Sequence, residues 1–340
     1  MVNLGQWCGQ NSWAKKIFSS CYSYQHPALS QSLGGISFPN PVGLAAGFDY
    51  DAKLTQILPS LGFGFATVGS ITACPYGGNP RPRLGRLPKS KSLMVNKGLK
   101  SIGTPKIIAK LAPLKFQIPL GISVARTNSK DTAEEKKGIA DYIESFVQLE
   151  KAQMATHYEL NISCPNAYGG EPFTVPKKLT RLLQAIKQLH LKTPLLIKMP
   201  TDLGISEALE LMLVVKKYPV AGLIFGNLTK DRQNRLIHPS ERDKYAAGNF
   251  SGKPTWVRSN TLLAAIYKKY KKQFILIGCG GVFSAQDAYT KIKLGASLVE
   301  LITGMIYQGP QLIGQINAGL VKLLHEDGYD SISQAIGKGI

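Results

Sequence analysis

The sequence predicts a (β/α)₈ barrel with a short N-terminal extension, and three observations support this fold class. Eight short apolar segments recur between residues 42 and 302, and polar or helical stretches separate them. The segments are almost continuously apolar, as expected for parallel strands that are buried on both faces. No Gly-x-Gly-x-x-Gly follows the first segment, which weakens the main alternative, an open doubly wound sheet. Strands that alternate with helices over this length therefore favour a closed parallel barrel.

The N-terminal part, residues 1–35, precedes this pattern and is expected to form an extension of the barrel domain, residues 36–340. Within it, Trp13, Ile17 and Cys21 are spaced i, i+4 and i+8, which predicts one amphipathic helical face. This face could cover the bottom of the barrel, dock on lipid or gate an apolar ligand, or the extension could serve only to pack on the domain. The sequence leaves these uses open.

The barrel elements follow in order along the chain. Eight strands are predicted, at Val42–Ala46, Phe65–Gly69, Pro119–Val124, Tyr158–Ile162, Leu195–Met199, Ala221–Phe225, Phe274–Gly278 and Leu298–Ile302. Helices are predicted at Thr132–Met154, Lys177–Leu191, Ser206–Tyr218, Thr261–Tyr270 and Ala285–Leu294. The long, polar and basic stretch from Leu228 to Gly252 is expected to be a functional lid or a disordered loop.

The formal net charge of +20 favours anionic partners, because 41 Lys and Arg residues face only 21 Asp and Glu residues. The lysines occur mostly as dispersed pairs in or beside helical segments, and no basic stripe carries interleaved aromatic residues. The composition therefore gives no expectation of nucleic-acid binding. Five scattered cysteines without a C-x-x-C pair argue against disulfides and a zinc site, and for a reducing compartment.

The N-terminus carries Lys15 and Lys16 but no apolar segment of the signal-peptide kind follows them. No stretch reaches the roughly 18 apolar residues that a membrane-spanning helix needs. We therefore expect a cytoplasmic protein that could lie peripherally on the cytoplasmic face of the membrane.

The segment Asn161–Asn166, Asn-Ile-Ser-Cys-Pro-Asn, directly follows a predicted strand and ends in a proline turn. It would place two carboxamides and a thiol at the carboxyl end of that strand. Carboxamides match the donor and acceptor edges of a pyrimidine, and the thiol of Cys164 could move a proton. A buried cysteine in a turn whose polar side chains cap local backbone groups is the alternative interpretation.

In a barrel the active-site groups collect at the carboxyl ends of the strands. The last two strands end in Gly278–Gly281 and Thr303–Gly304, each before a helix. With Ser251–Lys253 they predict a cradle of backbone N–H groups for a phosphate. The first strand ends in small residues that would let a flat ligand approach, and the fifth ends in Lys198.

Several motifs in the same order resemble the dihydroorotate dehydrogenase family, over roughly residues 35–337. The matching stretches are Asn40–Asp49, Leu61–Phe65, Val68–Ser70, Gly78–Arg83, Asn161–Asn166, Leu196–Lys198, Ser251–Pro254, Gly280–Val282 and Gly295–Val299. The resemblance implies an FMN-containing barrel that oxidises dihydroorotate to orotate in pyrimidine biosynthesis. It implies no resident metal.

By this resemblance, Cys164 would take the proton from C5 of dihydroorotate, and Lys198 would stabilise the reduced flavin at its N1/O2 edge. The residues implied to bind FMN are Ala45, Ala46, Gly47, Tyr50, Gly69, Ser70, Ser123, Asn161, Lys198, Gly226, Ser251, Gly252, Cys279, Gly280, Gly281, Ile302, Thr303 and Gly304. Those implied to bind the substrate are Tyr50, Asn96, Gly98, Leu99, Asn161, Asn166, Asn227 and Leu228.

The chain departs from the family pattern at the substrate carboxylate. Tyr50 stands where the family usually has a lysine, and tyrosine carries no positive charge. Lys97, Lys100 and Arg126 are the candidates to replace that charge. The sequence does not choose among them.

Three further departures lie near the substrate. Val95 stands where the family has an asparagine, with Asn96 one position late, and Ser123 replaces the asparagine that usually ends the third strand. Gly226 and Leu228 flank Asn227 where hydroxyl residues are usual. The flavin site is therefore expected to be better kept than the substrate site.

The electron acceptor is also open. The extension and the Gly78–Arg83 region resemble the quinone-reducing, membrane-associated branch, but that branch usually has serine where this chain has Cys164. We expect an enzyme nearest the quinone branch. The alternatives are an FMN-dependent tRNA dihydrouridine synthase and a flavoprotein that has lost dehydrogenase activity.

Overall fold

A computed structural model describes residues 2–340, and its central feature is a closed parallel β-barrel. Its eight strands are β3 (Val42–Leu44), β4 (Phe65–Ile71), β7 (Leu120–Val124), β8 (His157–Asn161), β9 (Leu195–Met199), β10 (Gly222–Phe225), β12 (Ile275–Cys279) and β13 (Leu298–Leu301). Each pairs in parallel with its sequence neighbour in this series, and β13 closes the ring on β3. The predicted fold class is confirmed, and all eight predicted strands form the barrel.

Helices surround the barrel. The bounds of the helices are α1 (Val2–Gln10), α2 (Ser12–Tyr22), α3 (Thr104–Leu111), α4 (Glu135–Ala152), α5 (Pro176–Lys187), α6 (Ile205–Val215), α7 (Pro239–Arg242), α8 (Trp256–Tyr270), α9 (Ala285–Lys293), α10 (Thr303–Gln308), α11 (Leu312–Glu326) and α12 (Ile332–Ala335). The buried residues of α5 recur as Leu179, Leu182, Leu183 and Ile186, the spacing of one helical face. This face packs the helix on the barrel.

An antiparallel hairpin closes the bottom of the barrel. Its strands are β1 (Gln31–Leu33) and β2 (Ile36–Phe38), and Phe38 is buried among barrel-interior residues that include Phe65, Leu196 and Leu298. The rings of Phe38 and Phe65 meet edge to face with centroids 5.5 Å apart. The hairpin crosses residue 35, so the expected division between extension and barrel domain falls within one structural unit.

The long loop after β10 is ordered by a second sheet above the barrel. This sheet contains β5 (Leu84–Leu87), β6 (Ser92–Val95) and β11 (Asn249–Phe250), all antiparallel. Within the loop, the buried carboxylate of Glu241 accepts hydrogen bonds from the backbone N–H groups of Lys89 and Ser90 at 3.1 and 2.9 Å. Of the two expected outcomes for this segment, disorder is therefore wrong.

The N-terminal extension forms two helices, of which α2 packs against a 3₁₀ turn at Leu58–Leu61 and against α11. The amphipathic face predicted from the sequence lies on α2 but does not cover the barrel bottom. Trp13 and Ile17 are 56% and 54% exposed. No helix among residues 2–340 combines the length and apolar character that crossing a bilayer requires.

Two predicted elements, one helix and one strand, have different ends in the structure. The predicted helix Thr261–Tyr270 begins earlier, at Trp256, because Lys253–Thr255 already turns as a 3₁₀ segment that continues into α8. The predicted strand Val42–Ala46 ends at Leu44, since the chain turns there toward the cavity.

Candidate functional site

One cavity of about 420 Å³ opens at the carboxyl ends of the barrel strands and brings most of the predicted site residues together. The predicted residues that line it are Ala45, Ala46, Gly47, Tyr50, Ser70, Gly98, Leu99, Asn161, Cys164, Asn166, Lys198, Gly226, Asn227, Leu228, Ser251, Gly252, Cys279, Gly280, Gly281, Ile302, Thr303 and Gly304. Its volume is within the usual range for a site that binds a small molecule or cofactor.

Cys164 lies just beyond the end of β8, and its thiol faces the cavity. Burial raises the pKa of this thiol to about 11, and a hydrogen bond from the Asn166 backbone offsets part of that rise. The unperturbed pKa of a cysteine is about 8.5. The thiol therefore holds its proton at neutral pH, more firmly than the sequence alone suggests.

The carboxamides around Cys164 are held in fixed orientations. Asn161 donates to the Ser70 hydroxyl at 2.8 Å and accepts from the Ser163 backbone at 3.1 Å. Asn227 donates to the Ser163 carbonyl at 2.8 Å. These bonds fix the direction in which each remaining donor or acceptor can meet a ligand.

Asn166 is oriented by the lid sheet, the three-stranded sheet of β5, β6 and β11 above the barrel. It donates to the carbonyl of Val95 at 2.9 Å, and its own carbonyl accepts from the Asn249 side chain at 2.6 Å. Asn79 also donates to the backbone carbonyl of Asn166, at 2.9 Å. The lid sheet and the segment Asn161–Asn166 at the end of β8 thus share one hydrogen-bonded network.

Lys198 projects from β9 into the floor of the cavity and is only 3% exposed. Burial lowers the pKa of its ammonium, but the carboxylates of Glu300 and Glu159 raise it by more, so the net shift is upward. Its Nζ lies 3.7 Å from Oε2 of Glu300. The ammonium of Lys198 therefore stays positively charged at neutral pH at the floor of the cavity.

The far end of the cavity is a cradle of glycines and hydroxyls. Gly280 and Gly281 have φ angles of 92° and 75°, which side chains rarely allow, and a Cβ on Gly281 would lie 2.8 Å from Cβ of Trp256. The hydroxyls of Ser251 and Thr303 are 2.8 Å apart and close the same end. Backbone and hydroxyl donors in a confined space suit a phosphate group.

Small residues keep the centre of the cavity open. Ala45, Ala46 and Gly47 follow β3, and Gly226 follows β10. A Cβ on Gly226 would lie 2.2 Å from the carbonyl oxygen of Cys279. A flat space, a phosphate cradle at one end and a cation at the floor together fit a flavin nucleotide.

A second, open depression adjoins the cavity and is strongly basic. Tyr50 and Lys97 line both spaces, and Arg81, Arg83 and Lys100 line the depression. The Lys97 ammonium lies 4.1 Å from the centre of the Tyr50 ring, a cation–π contact. Burial, followed by repulsion from Lys100, lowers the pKa of Lys97 to about 8.

The other two candidates for the missing charge point elsewhere. Lys100 lines the depression but not the cavity, and it pairs with Asp51 at 3.6 Å. Arg126 donates to the carbonyls of Tyr168 and Gly170, with the second contact at 3.2 Å, and does not line the cavity. Arg126 therefore holds the loop that follows Cys164.

Three predicted site residues lie outside the cavity wall. The carbonyl of Gly69 accepts the Gly47 N–H at 2.8 Å, so this residue ties β4 to the turn after β3. Ser123 is fully buried behind Ser70, with their hydroxyls 2.7 Å apart. The carbonyl of Asn96 accepts from Asn79 at 3.0 Å, which draws this side chain into the lid network.

Other residues of the wall were not among the predicted site residues. Val95 is the last residue of β6, and Lys97, which the sequence offered only as a candidate for the missing charge, lies two residues beyond it. The remaining wall residues are Val2, Phe48, Leu84, Arg86, Leu93, Thr255, Val282, Leu301 and Ile306. The participation of Val2 brings α1 to the cavity, which no local sequence signal indicates.

Comparison with known proteins places this geometry in context. A family model described as dihydroorotate dehydrogenase matches residues 28–324. A curated protein of Nostoc sp., named dihydroorotate dehydrogenase (quinone), is 36% identical over 332 residues, covering 96% of this chain and 87% of the relative. A protein of Nostoc punctiforme with the same name is 35% identical over 342 residues, covering 97% of this chain and 90% of the relative.

The fold has a similar solved structure as well. The crystal structure of DHODH in complex with ferulenol from Eimeria tenella superimposes with a TM-score of 0.85 at 27% sequence identity. The match covers 96% of this chain and 94% of that one. Sequence and structure comparisons therefore agree over nearly the entire chain.

Proposed function

The chain belongs to the dihydroorotate dehydrogenase family, and on that premise we propose that its cavity oxidises dihydroorotate to orotate in pyrimidine biosynthesis. The observation that carries the proposal is the joint placement of Cys164, Lys198 and the glycine cradle on one cavity of suitable size. Members of this family depend on flavin.

FMN is the proposed cofactor, because a cradle that suits a phosphate group lies beside a flat space in the same cavity. Gly280, Gly281 and Thr303 would hold the phosphate, and Ala45 and Gly226 would lie against the ring. When bound, the flavin supplies the acceptor for the hydride that leaves C6 of the substrate. Lys198 supplies the positive charge that favours this transfer.

Cys164 is the proposed base that takes the proton from C5. Its thiol must first lose its own proton, which burial opposes. Asn161, Asn166 and Asn227 would hold the carbonyl and N–H edges of the pyrimidine, since each is already oriented by a hydrogen bond. Oriented partners reduce the entropy lost when the substrate binds.

Lys97 is the proposed partner of the substrate carboxylate. Of the three candidates, it alone lines the cavity and is not engaged by an acidic side chain in the described structure. Burial keeps the pKa of the Tyr50 phenol above its usual value, so Tyr50 stays neutral and can donate one hydrogen bond. Together they could provide the charge and the donor that a family lysine usually provides.

A quinone is the proposed acceptor of the electrons, as the names of the Nostoc relatives state for those proteins. The apolar part of the cavity wall, with Val2, Phe48 and Leu301, gives a lipid-like ligand a place to lie. We propose residues 1–35 as a peripheral membrane-facing extension and residues 36–340 as the FMN-binding catalytic domain, in a cytoplasmic protein. The exposed apolar side chains of α1 and α2 support the first assignment.

The tRNA dihydrouridine synthase alternative is not favoured, since the family model and the relatives agree on dihydroorotate dehydrogenase. The other alternative is a flavoprotein that has lost dehydrogenase activity, and a direct experiment tests it.

Purified protein is loaded with FMN, and dihydroorotate is added without oxygen. Rapid bleaching of the flavin absorbance is expected; bound flavin that dihydroorotate leaves yellow would refute the proposed function.

A further inference from the structure

Four ionisable side chains are buried inside the barrel, at and just below the cavity floor. Lys198 projects from β9 and Glu300 from β13, while His157 and Glu159 project from β8. Glu159 and Glu300 have no exposed surface. Because a charge without water or a partner is strongly disfavoured, their protonation states must balance one another.

The two carboxylates lie close enough to influence each other. Burial raises the pKa of Glu300 well above its usual range, and the neighbouring Glu159 carboxylate raises it further. Lys198 opposes the rise from 3.7 Å, and Thr67 donates to Glu300 at 3.4 Å. Burial and mutual repulsion both oppose a charge on the two carboxyl groups at once.

Hydrogen bonding leads to the same conclusion. Three carboxylate oxygens have no hydrogen-bond partner among the described residues. They are both oxygens of Glu159 and Oε2 of Glu300. A proton on either carboxyl group creates an O–H donor for the other. One such bond would give a partner to Oε2 of Glu300 and to one of the two oxygens of Glu159.

We propose that Glu159 and Glu300 share a single proton and together form the counter-ion of Lys198, so that they set the net charge beneath the flavin. They are positioning residues, because they act on the cofactor through Lys198. The inference rests on the flavin-binding part of the proposed function. It assigns these two residues a role that no substrate contact would reveal.

The surrounding groups leave this charge balance intact. Burial lowers the pKa of His157, which is therefore neutral, and burial raises the pKa of Cys279 on β12 to about 11, so its thiol is also neutral. The carboxyl pair then carries one negative charge and Lys198 one positive charge. The buried cluster is neutral as a whole.

A shared proton gives substitutions an unusual signature. Glu159→Gln or Glu300→Gln removes one carboxyl group together with the shared proton, so the net charge stays the same. Replacing both residues removes one negative charge and leaves Lys198 without a counter-ion. The flavin potential should therefore stay near the wild-type value in each single variant and rise in the double variant, because an unbalanced cation favours electron uptake.

The potential is measured by spectroelectrochemistry on the FMN-loaded protein without dihydroorotate, across a range of pH. In the double variant the rise should fade at alkaline pH, as the unpaired buried lysine loses its proton. A rise in either single variant would mean that both carboxylates are ionised in the wild type. An unchanged flavin potential in the double variant would mean that neither carboxyl group is ionised in the wild type. Each of these results would overturn the proposal.

Infrared spectroscopy tests the proton independently. The wild type should show the carbonyl stretch of a buried carboxylic acid, and each single variant should lose that band; a band that survives in both singles would contradict the shared proton. Ile224→Val, in the same barrel interior, is the matched control and should lower stability while leaving potential and band unchanged. Because neither measurement uses substrate, failure to oxidise dihydroorotate would refute the proposed function and leave this test standing.

Discussion

Burial gives Cys164 a thiol that keeps its proton at neutral pH, which makes base strength a limiting property of the site. Below its pKa of about 11, each unit of pH increases the thiolate fraction about tenfold. At saturating substrate, the rate of flavin reduction by dihydroorotate should therefore rise with pH. Stopped-flow absorbance measures this rate directly.

Cys164→Ala should lower that rate about 100- to 10,000-fold and remove the thiol's pH dependence, while FMN stays bound. The matched control is Cys74→Ala, because Cys74 is exposed and does not line the cavity. An unchanged rate in Cys164→Ala would remove this residue from the mechanism.

Lys97 should give substrate binding the opposite pH dependence. Its pKa is lowered to about 8, so the ammonium that would hold a carboxylate is present below that pH and is lost above it. The KM for dihydroorotate should therefore rise above pH 8. Lys97→Met should raise KM roughly tenfold or more at neutral pH, since a charged hydrogen bond contributes about 2 kcal/mol.

Steady-state kinetics across pH separates this effect from that of Cys164, because one acts on KM and the other on the chemical step. Lys106→Met is the control, since Lys106 is exposed on α3 and lines neither the cavity nor the basic depression. Equal KM values for the wild type and Lys97→Met would assign the carboxylate to another residue.

At the residue scale, sequence motifs brought together side chains at the carboxyl ends of barrel strands, such as Lys198 on β9 and Cys164 after β8. They could not place Asn96, whose direction depends on a hydrogen bond from Asn79 in the loop before β5. Sequence motifs also could not predict that Glu159 and Glu300 are neighbours. Strands far apart in sequence create that contact, and no spacing rule encodes it.

At the scale of elements, the turn after β12 depends on glycine geometry. Gly281 has a φ of 75°, and a Cβ there would press on the first residue of α8, Trp256. Gly281→Ala should therefore reduce bound FMN strongly while the barrel remains folded. The bound flavin per protein after dialysis and the circular dichroism spectrum measure the two effects.

Gly77→Ala is the matched control for this substitution, because a Cβ at Gly77 would meet no atom within 4 Å. Its flavin content should equal that of the wild type. Full flavin binding by Gly281→Ala would exclude this turn from the cradle.

The elements themselves were largely predictable, because continuous apolar runs and helical periodicity are local signals. The segment from Leu228 to Gly252 was not, since its order comes from distant partners. Glu241 bonds the backbone of Lys89 and Ser90, and β11 pairs with β6. A polar composition gives no sign of either contact.

At the scale of the whole molecule, α1 and α2 present an apolar surface beside the cavity that Val2 lines. Trp7 and Trp13 are 49% and 56% exposed and meet edge to face with ring centroids 5.8 Å apart. Lys15 and Lys16 follow on α2. Apolar side chains next to lysines are typical of a helix that lies at an anionic membrane surface.

The double variant Trp7→Ser with Trp13→Ser should bind phosphatidylglycerol vesicles roughly tenfold or more weakly, as judged by cosedimentation. Oxidation of dihydroorotate with a water-soluble acceptor should be unchanged. Val147→Ser is the control, since Val147 is equally exposed but lies on α4. Equal vesicle binding by all three proteins would remove the extension from membrane contact.

The hairpin of β1 and β2 closes the bottom of the barrel with Phe38 packed against Phe65, and the cavity lies at the opposite end of the strands. We therefore expect dihydroorotate to enter and orotate to leave at the end where the strands finish. Because the two molecules would bind the same side chains, accumulated orotate should slow turnover by competition. Pyrimidine output would then depend on how fast the next reaction removes orotate.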